Sequence, residues 1–361
     1  MNDKISIVKV ASIYMATIVG AGFASGQEIV QFFSSYYEGG FFGIITAGIL
    51  FSVIGYVVLD KVYTERIRNY EELLFPSVGW FMGWVIEIAV SLFMLSVFCV
   101  MITGAGSIFF DKLEIPFKYG IILMTVICMV LIFTGIKGII AISTAVTPVL
   151  IAGILLVALY VIIFNDTSAL SIYGCFAGIT NNWFFSALLY VGYNSIVSVV
   201  VMCSLLPHLK SRKIAALSGI LGGMLLCFIA LIINTVIYVF NPDMLLKELP
   251  LLSITEKYGG ILNTVYALVL WLSMLISAVT SGYGFVERVA GKININKKII
   301  TVIICLLVIP MSRFGFSGLI STVYPLFGYV GLFLITVILT QDINLKWSRF
   351  FKKASVERRN K

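Results

Sequence analysis

Apolar runs of about 20 residues, the length that carries a helix across a bilayer, recur from one end of this chain to the other. Few folds accommodate them. In hydrocarbon every backbone N–H and C=O has to be satisfied within the chain, so such a sequence spans as a bundle of helices. Composition agrees: 60% of the 361 residues are hydrophobic and 12% are charged, and mean hydropathy is +1.06. No polar stretch is long enough for a soluble domain. The net charge of +8 therefore speaks of membrane topology and not of nucleic acid.

About ten spans can be placed, at 5–34, 41–59, 85–110, 119–133, 138–164, 183–206, 214–240, 261–285, 299–310 and 318–340. The fold class expected is an all-α polytopic membrane protein. A loop covers 165–182, the segment 241–258 has room for a short surface helix, and a basic tail fills 341–361. With a cytoplasmic N-terminus, all of the 25 Lys and Arg but Lys112, Lys118, Lys247, Lys257 and Arg313 fall on the cytoplasmic side. That asymmetry predicts a cell (inner) membrane protein with both termini cytoplasmic and the 165–182 loop extracellular. The tail is either held near anionic headgroups by its charge or simply solvated.

The first span is too rich in glycine to be a comfortable helix. It contains Gly20, Gly22 and Gly26, each weakening a helix by roughly 1 kcal/mol relative to Ala. Backbone opened at mid-membrane survives only where it faces a cavity, and an interrupted helix there points to the binding site of a secondary transporter. Gly22-xxx-Gly26 also has the spacing of a helix-packing motif. A dinucleotide loop would need a preceding strand, and Lys9 interrupts the apolar core a signal peptide would need. The stretch Val191-Gly192-Tyr193-Asn194-Ser195 is expected to break the sixth span in the same way. Gly192 lies 172 residues after Gly20, and that offset carries spans two to five approximately onto spans seven to ten. The expected architecture is a 5+5 inverted repeat, 1–164 and 183–340, with broken helices 1 and 6.

Few side chains suggest chemistry. The six cysteines have no metal-ligand spacing, His208 is the only histidine, and no nucleophile–base constellation appears, so an enzyme is not expected. In the eighth span, Ser277, Thr280 and Ser281 fall at i, i+3 and i+4 and share one helix face. With carbonyls from an opened helix they would make an all-oxygen cage for a small hard cation. Such hydroxyls also commonly bond back to the i−4 carbonyl or glue helices together. Glu28 and Glu87 are the acids at or within the membrane, and a mid-membrane acid is a functional candidate by default. Glu28 is a candidate for gating, coupling or contact with a substrate amine. Glu87, a turn into its span near Trp80 and Trp84, reads as interfacial.

These motifs carry a resemblance. Val19-Gly20-Ala21-Gly22 resembles the Val-Gly-Leu-Gly of the broken first helix of sodium:neurotransmitter symporters. Ser277-Ala278-Val279-Thr280-Ser281 resembles their Ala-Gly-Leu-Thr-Ser in helix eight. Gly135-Ile-Lys137-Gly followed by Thr147-Pro148 resembles the stretch entering their fifth helix. The chain thus resembles the LeuT-fold branch of the amino acid–polyamine–organocation superfamily over about residues 5–340. Its segment Gly20–Glu28 looks most like the YkvI-like bacterial membrane proteins.

The resemblance implies one sodium site, formed by the carbonyls of Ala16, Val19 and Ser277 and the hydroxyls of Thr280 and Ser281. It implies a substrate carboxylate at the amides around Gly20, Ala21, Gly22 and Phe23, and a substrate body against Tyr190, Gly192, Tyr193 and Asn194. Phe23 stands where a second sodium site needs Asn, and no Lys follows Lys137 in the fifth span. The expected function is a sodium-coupled symporter (Na+ as coupling ion, no organic cofactor) importing a small amino acid or related zwitterion by alternating access. Two alternatives stand beside it: a transporter-shaped ligand sensor resembling germinant-receptor subunits, and a proton-coupled permease using Glu28 or Glu87. The partners expected are a small-molecule substrate and the lipid bilayer.

Overall fold

The computed structural model describes residues 3–134, 136–164, 178–239, 247–293 and 295–359, with the backbone alone at 3, 164 and 239 and over 136–147 and 343–359. The described residues form helices α1 (Asp3–Ile18), α2 (Ala21–Ala24), α3 (Gln27–Phe32), α4 (Glu38–Glu65), α5 (Tyr70–Val78), α6 (Trp80–Leu113), α7 (Phe117–Thr134), α8 (Ile136–Phe164), α9 (Trp183–Ser204), α10 (Arg212–Val239), α11 (Pro250–Glu256), α12 (Gly260–Lys292), α13 (Lys297–Met311) and α14 (Phe316–Arg359). Among the described residues, α4, α6, α7, α9, α10, α12 and the Phe316–Asp342 part of α14 are long and apolar enough to cross a membrane, and α8 adds the shorter apolar segment Pro148–Ile163. Ile49, Ile88, Ile122, Leu156, Phe228, Leu268 and Leu306 are each more than half exposed. Such a belt suits a lipid-facing surface and no aqueous one.

Small residues set how the helices meet. Along the α4–α10 seam Gly48 faces Cys227, Ser52 faces Gly223, and Gly55 backs onto Gly219, so the helices run antiparallel in backbone contact. Between α6 and α12, Gly104 meets Met274 and Gly282 meets Phe98, again antiparallel. Close approach through small residues is how helices associate where lipid removes the hydrophobic drive. Tyr14 of α1 lies against Gly55 and Gly222 and donates from its hydroxyl to the Phe51 carbonyl at 2.9 Å, fastening α1 to the α4–α10 pair.

The end of the bundle that carries the start of α1 holds polar pairs in which the acid is buried and the cation partly exposed. Arg212 meets Asp60 at 2.6 Å. Arg288 and Lys292 of α12 meet Glu87 of α6 at 2.5 and 3.0 Å. Lys61 and Ser77 both donate to Gln341 Oε1, at 3.1 and 2.7 Å. Glu87 is only 2% exposed, so it is a buried strut between two helices and not the interfacial side chain expected from its neighbours.

One expected break is absent, and two segments carry helix where none was placed. The sixth span is unbroken: α9 is helical from Trp183 to Ser204. The residues that suggested a break satisfy the helix instead, Asn194 Nδ2 donating to the Tyr190 carbonyl at 3.0 Å and Ser195 Oγ to the Val191 carbonyl at 2.7 Å. Gly192 serves packing, because a Cβ there would run into the Gly328 carbonyl of α14, while one at Gly331 would run into the Gly192 backbone. The connection 66–84 also contains a helix, α5, whose Tyr70, Leu73 and Leu74 are buried. The loop expected at 165–182 lies outside the described residues as far as 177, as does Gly135 of the motif entering the fifth span. The tail is helical, since α14 continues to Arg359.

Candidate functional site

The first span opens as its glycines require. After Ile18 the Gly20 amide turns back to the Ile18 carbonyl at 2.8 Å instead of reaching Ala16, and helix resumes only when the Ala24 amide reaches the Gly20 carbonyl at 2.9 Å. Among the described residues no N–H is left to fill the carbonyls of Ala16, Thr17 and Val19. Unpaired carbonyls away from water are costly unless something cationic or hydrogen-bonding meets them.

A second bend follows at Gly26, whose φ of 81° lies in the left-handed region. There Ser25 Oγ donates to the Gly22 carbonyl at 2.9 Å and receives the Gln27 amide at 3.2 Å. Three neighbours hold this elbow: the Leu251 amide donates to the Ser25 carbonyl at 3.0 Å, the Tyr266 hydroxyl to the Ala24 carbonyl at 2.5 Å, and Gln27 Nε2 to Ser317 Oγ at 2.6 Å.

Beside the break lies a cavity of about 870 Å³. The α1 wall runs from Ser12 to Gly20, the α9 wall from Tyr193 to Val201 and the α12 wall from Ser273 to Ser281, with parts of α6, α8 and α14 completing it. Thus the cavity extends from the break toward the end of the bundle that carries the start of α1. Opposite, the α2–α3 elbow is packed shut, with Phe23 and Phe32 at most 1% exposed.

All five residues expected to hold sodium, Ala16, Val19, Ser277, Thr280 and Ser281, line this one cavity. The Ser277 hydroxyl stands 3.7 Å from where a Cβ on Gly20 would be, so α12 passes directly beside the break. Elsewhere Ser and Thr bond back into their own helices, as Ser91 does to Glu87, Thr103 to Cys99 and Thr235 to Leu231. Among the described residues the hydroxyls of Ser277, Thr280 and Ser281 make no such bond. The local back-bonding that would have explained them as helix glue is absent, and their oxygens are free for a ligand in the cavity.

The expected substrate residues divide. Gly20, Tyr193 and Asn194 line the cavity, whereas Ala21, Gly22, Phe23, Tyr190 and Gly192 do not. Ala21–Ala24 is a single buried turn, and a Cβ on Gly22 would overlap the Glu28 carboxylate. The protein's own carboxylate thus covers the place expected for a substrate carboxylate. Glu28 lines the cavity, is 4% exposed, and accepts from the Tyr193 hydroxyl at 2.6 Å through Oε2. Phe93 of α6 and Tyr324 of α14 complete this inner end, with ring centroids 6.1 and 4.7 Å from that of Tyr193. Sequence reading passed over both, because one aromatic in an aromatic-rich helix carries no signal until its partners are placed.

No family model matches the chain. It is 28% identical over 346 residues to the uncharacterized membrane protein YkvI of Bacillus subtilis (strain 168), covering 94% of this chain and 96% of YkvI. It is 26% identical over 333 residues to the uncharacterized protein YyaD of the same organism, covering 92% of this chain and 96% of YyaD. Among solved structures it is similar to a manganese transporter of Eremococcus coleocola (TM-score 0.66, 13% identity, 92% of this chain and 78% of that one). It also resembles the inward-facing conformation of Mhp1, a nucleobase-cation-symport-1 family transporter (TM-score 0.58, 13% identity, 92% and 75%). A third likeness is to a Na+-coupled sialic acid symporter in its outward-open state (TM-score 0.55, 14% identity, 94% and 78%). At these identities the solved structures speak for the fold: the chain is a multi-pass helical membrane protein that shares its architecture with secondary transporters.

Proposed function

We propose that this protein is a sodium-coupled secondary transporter that imports a small amino acid or related amine-bearing zwitterion by alternating access. Ten crossings would form two five-helix halves of opposite orientation: α1–α3, α4, α6, α7 and α8, then α9, α10, α12, α13 and α14. Helix directions support the count, since α4 runs antiparallel to α10 and α6 to α12, as equivalent helices of inverted halves must. The basic end of the bundle, with Lys210, Arg212, Lys292 and Lys297, faces the cytoplasm in this reading. That makes the cavity inward-facing and puts both termini inside.

One observation carries the proposal. The freed carbonyls of Ala16 and Val19 and the unpartnered hydroxyls of Thr280 and Ser281 meet on one cavity. They are neutral oxygen donors on two different helices, the chemistry that suits a hard monovalent cation. An ion bound there bridges α1 and α12 and biases the equilibrium between outward and inward states by its differential affinity for them. Proton coupling through Glu28 is the second reading, favoured by a buried carboxylate at the inner end of the cavity. Glu87 lies outside the cavity, where Arg288 and Lys292 hold it.

The test is thermal stability of the purified protein in NaCl against KCl and choline chloride at equal ionic strength. A sodium-specific rise, lost in Thr280→Ala and in Ser281→Ala, is expected, because a ligand that binds only the folded state stabilises it by mass action. Absence of a sodium effect in the wild type overturns sodium coupling. A pH-dependent response indifferent to sodium moves the coupling to Glu28.

A further inference from the structure

We propose that the cavity holds its substrate by an ammonium group, with Glu28 as the counter-charge inside a partial cage of Phe93, Tyr193 and Tyr324, and that amines without any carboxylate are its better ligands. The proposal rests on the transporter reading above and replaces its zwitterionic substrate with a cationic amine.

Charge is the first argument. Among the described residues lining the cavity, Glu28 is the only ionisable acid and no Lys, Arg or His is present. One of its oxygens is engaged by Tyr193; the other makes no hydrogen bond among the described residues and lies against Gly22, which has no side chain to cover it. A carboxylate can accept several donors, so this one, on a residue that lines the cavity, has capacity left for a ligand.

The rings are the second argument. The centroids of Phe93 and Tyr324 are 6.0 Å apart, and Tyr193 lies 6.1 and 4.7 Å from them. Aromatic faces attract a cation and do not attract an anion. The third argument is what a carboxylate would meet. The elbow that was expected to receive it is a four-residue turn already covered by Glu28. A ligand carboxylate would add a second negative charge beside Glu28, and like charges repel.

Matched trios of ligands read this directly: phenethylamine, phenylalanine and 3-phenylpropionate; 3-methylbutylamine, leucine and 4-methylpentanoate; ethylamine, alanine and propionate. Each is titrated against the melting temperature of the purified full-length protein in NaCl. At least one amine is expected to raise it saturably, its amino acid to raise it less, and its carboxylate not at all. Glu28→Gln should weaken the amine's apparent affinity tenfold or more, with Glu28→Asp in between. Should Glu28→Gln fail to fold, Phe93→Ala serves, with a smaller loss for the amine and none for sodium. An amino acid or carboxylate that stabilises more than its amine overturns the proposal. So does an amine effect unchanged in Glu28→Gln, or no response to any amine at millimolar concentration. A sodium-specific rise persisting without an amine response overturns the substrate class alone; loss of both overturns sodium coupling as well.

Discussion

The Tyr193 hydroxyl and the Glu28 carboxylate meet at 2.6 Å, joining the short helix beyond the first break to the middle of α9. Both residues are almost wholly buried. A hydrogen bond to a charged acceptor contributes about 1.5–3 kcal/mol, and its loss leaves Glu28 short of a donor. Tyr193→Phe is therefore expected to lower stability by about 2 kcal/mol while keeping the ring. Denaturation of the variant in detergent against wild type measures it, and an unchanged midpoint would mean that the two groups are not bonded.

Gly192 is expected to tolerate no side chain. A Cβ there meets the Gly328 backbone across the α9–α14 contact, and overpacking of a fitted interface costs about 1–3 kcal/mol, more where backbone has to move. Gly192→Val should lower the melting temperature and the yield of folded protein. If helix six were instead broken at this point, the substitution would mainly disturb ligand binding and leave the fold intact.

Glu87→Gln is expected to destabilise by about 1–3 kcal/mol, because a buried charged acceptor is lost while its two partners keep some access to water. Arg288 and Lys292 would both be left facing an uncharged side chain. The double variant Glu87→Gln/Arg288→Met should recover part of the loss. Sodium-dependent stabilisation should persist in both, since neither residue lines the cavity; its disappearance would assign Glu87 to coupling.

Gly26 sits at φ 81°, a conformation that costs a residue with a Cβ about 1–2 kcal/mol. Gly26→Ala should destabilise by that amount or more, since the new Cβ would stand 3.0 Å from Leu251. A melting curve checks it. A neutral outcome would mean that the elbow relaxes into ordinary helix.

The first break was legible because its cause is local: three glycines in seven residues weaken a helix wherever they occur. The cation-site candidates were legible for a similar reason, since Ser277, Thr280 and Ser281 share a face by helical geometry alone. The sixth span misled because Gly192 has two uses, opening a helix or letting another helix approach, and only the position of Gly328 and Gly331 decides between them. Asn194 and Ser195 are ambiguous in the same way, as their side chains can replace a backbone bond or reinforce one. Phe93 and Tyr324 could not be found from sequence, because they become part of a site only when α6 and α14 converge on Tyr193. Glu28 was recognisable as an unusual acid, but that it would cover the place expected for a substrate carboxylate depends on the fold of the elbow.

The seam between α4 and α10 leaves almost no room between main chains, with Gly55 against Gly219 and Ser52 against Gly223. Helices in such contact share one stiffness: neither can slide or roll without driving backbone into backbone. They form a keel, and Tyr14 nails α1 to it. In the transporter reading proposed above, a swing that exchanges access between the two faces would bend at a joint the keel leaves loose. That joint is the two-residue gap at Val19 and Gly20, where the unpaired carbonyls lie, so an ion seated there would act on the pivot itself.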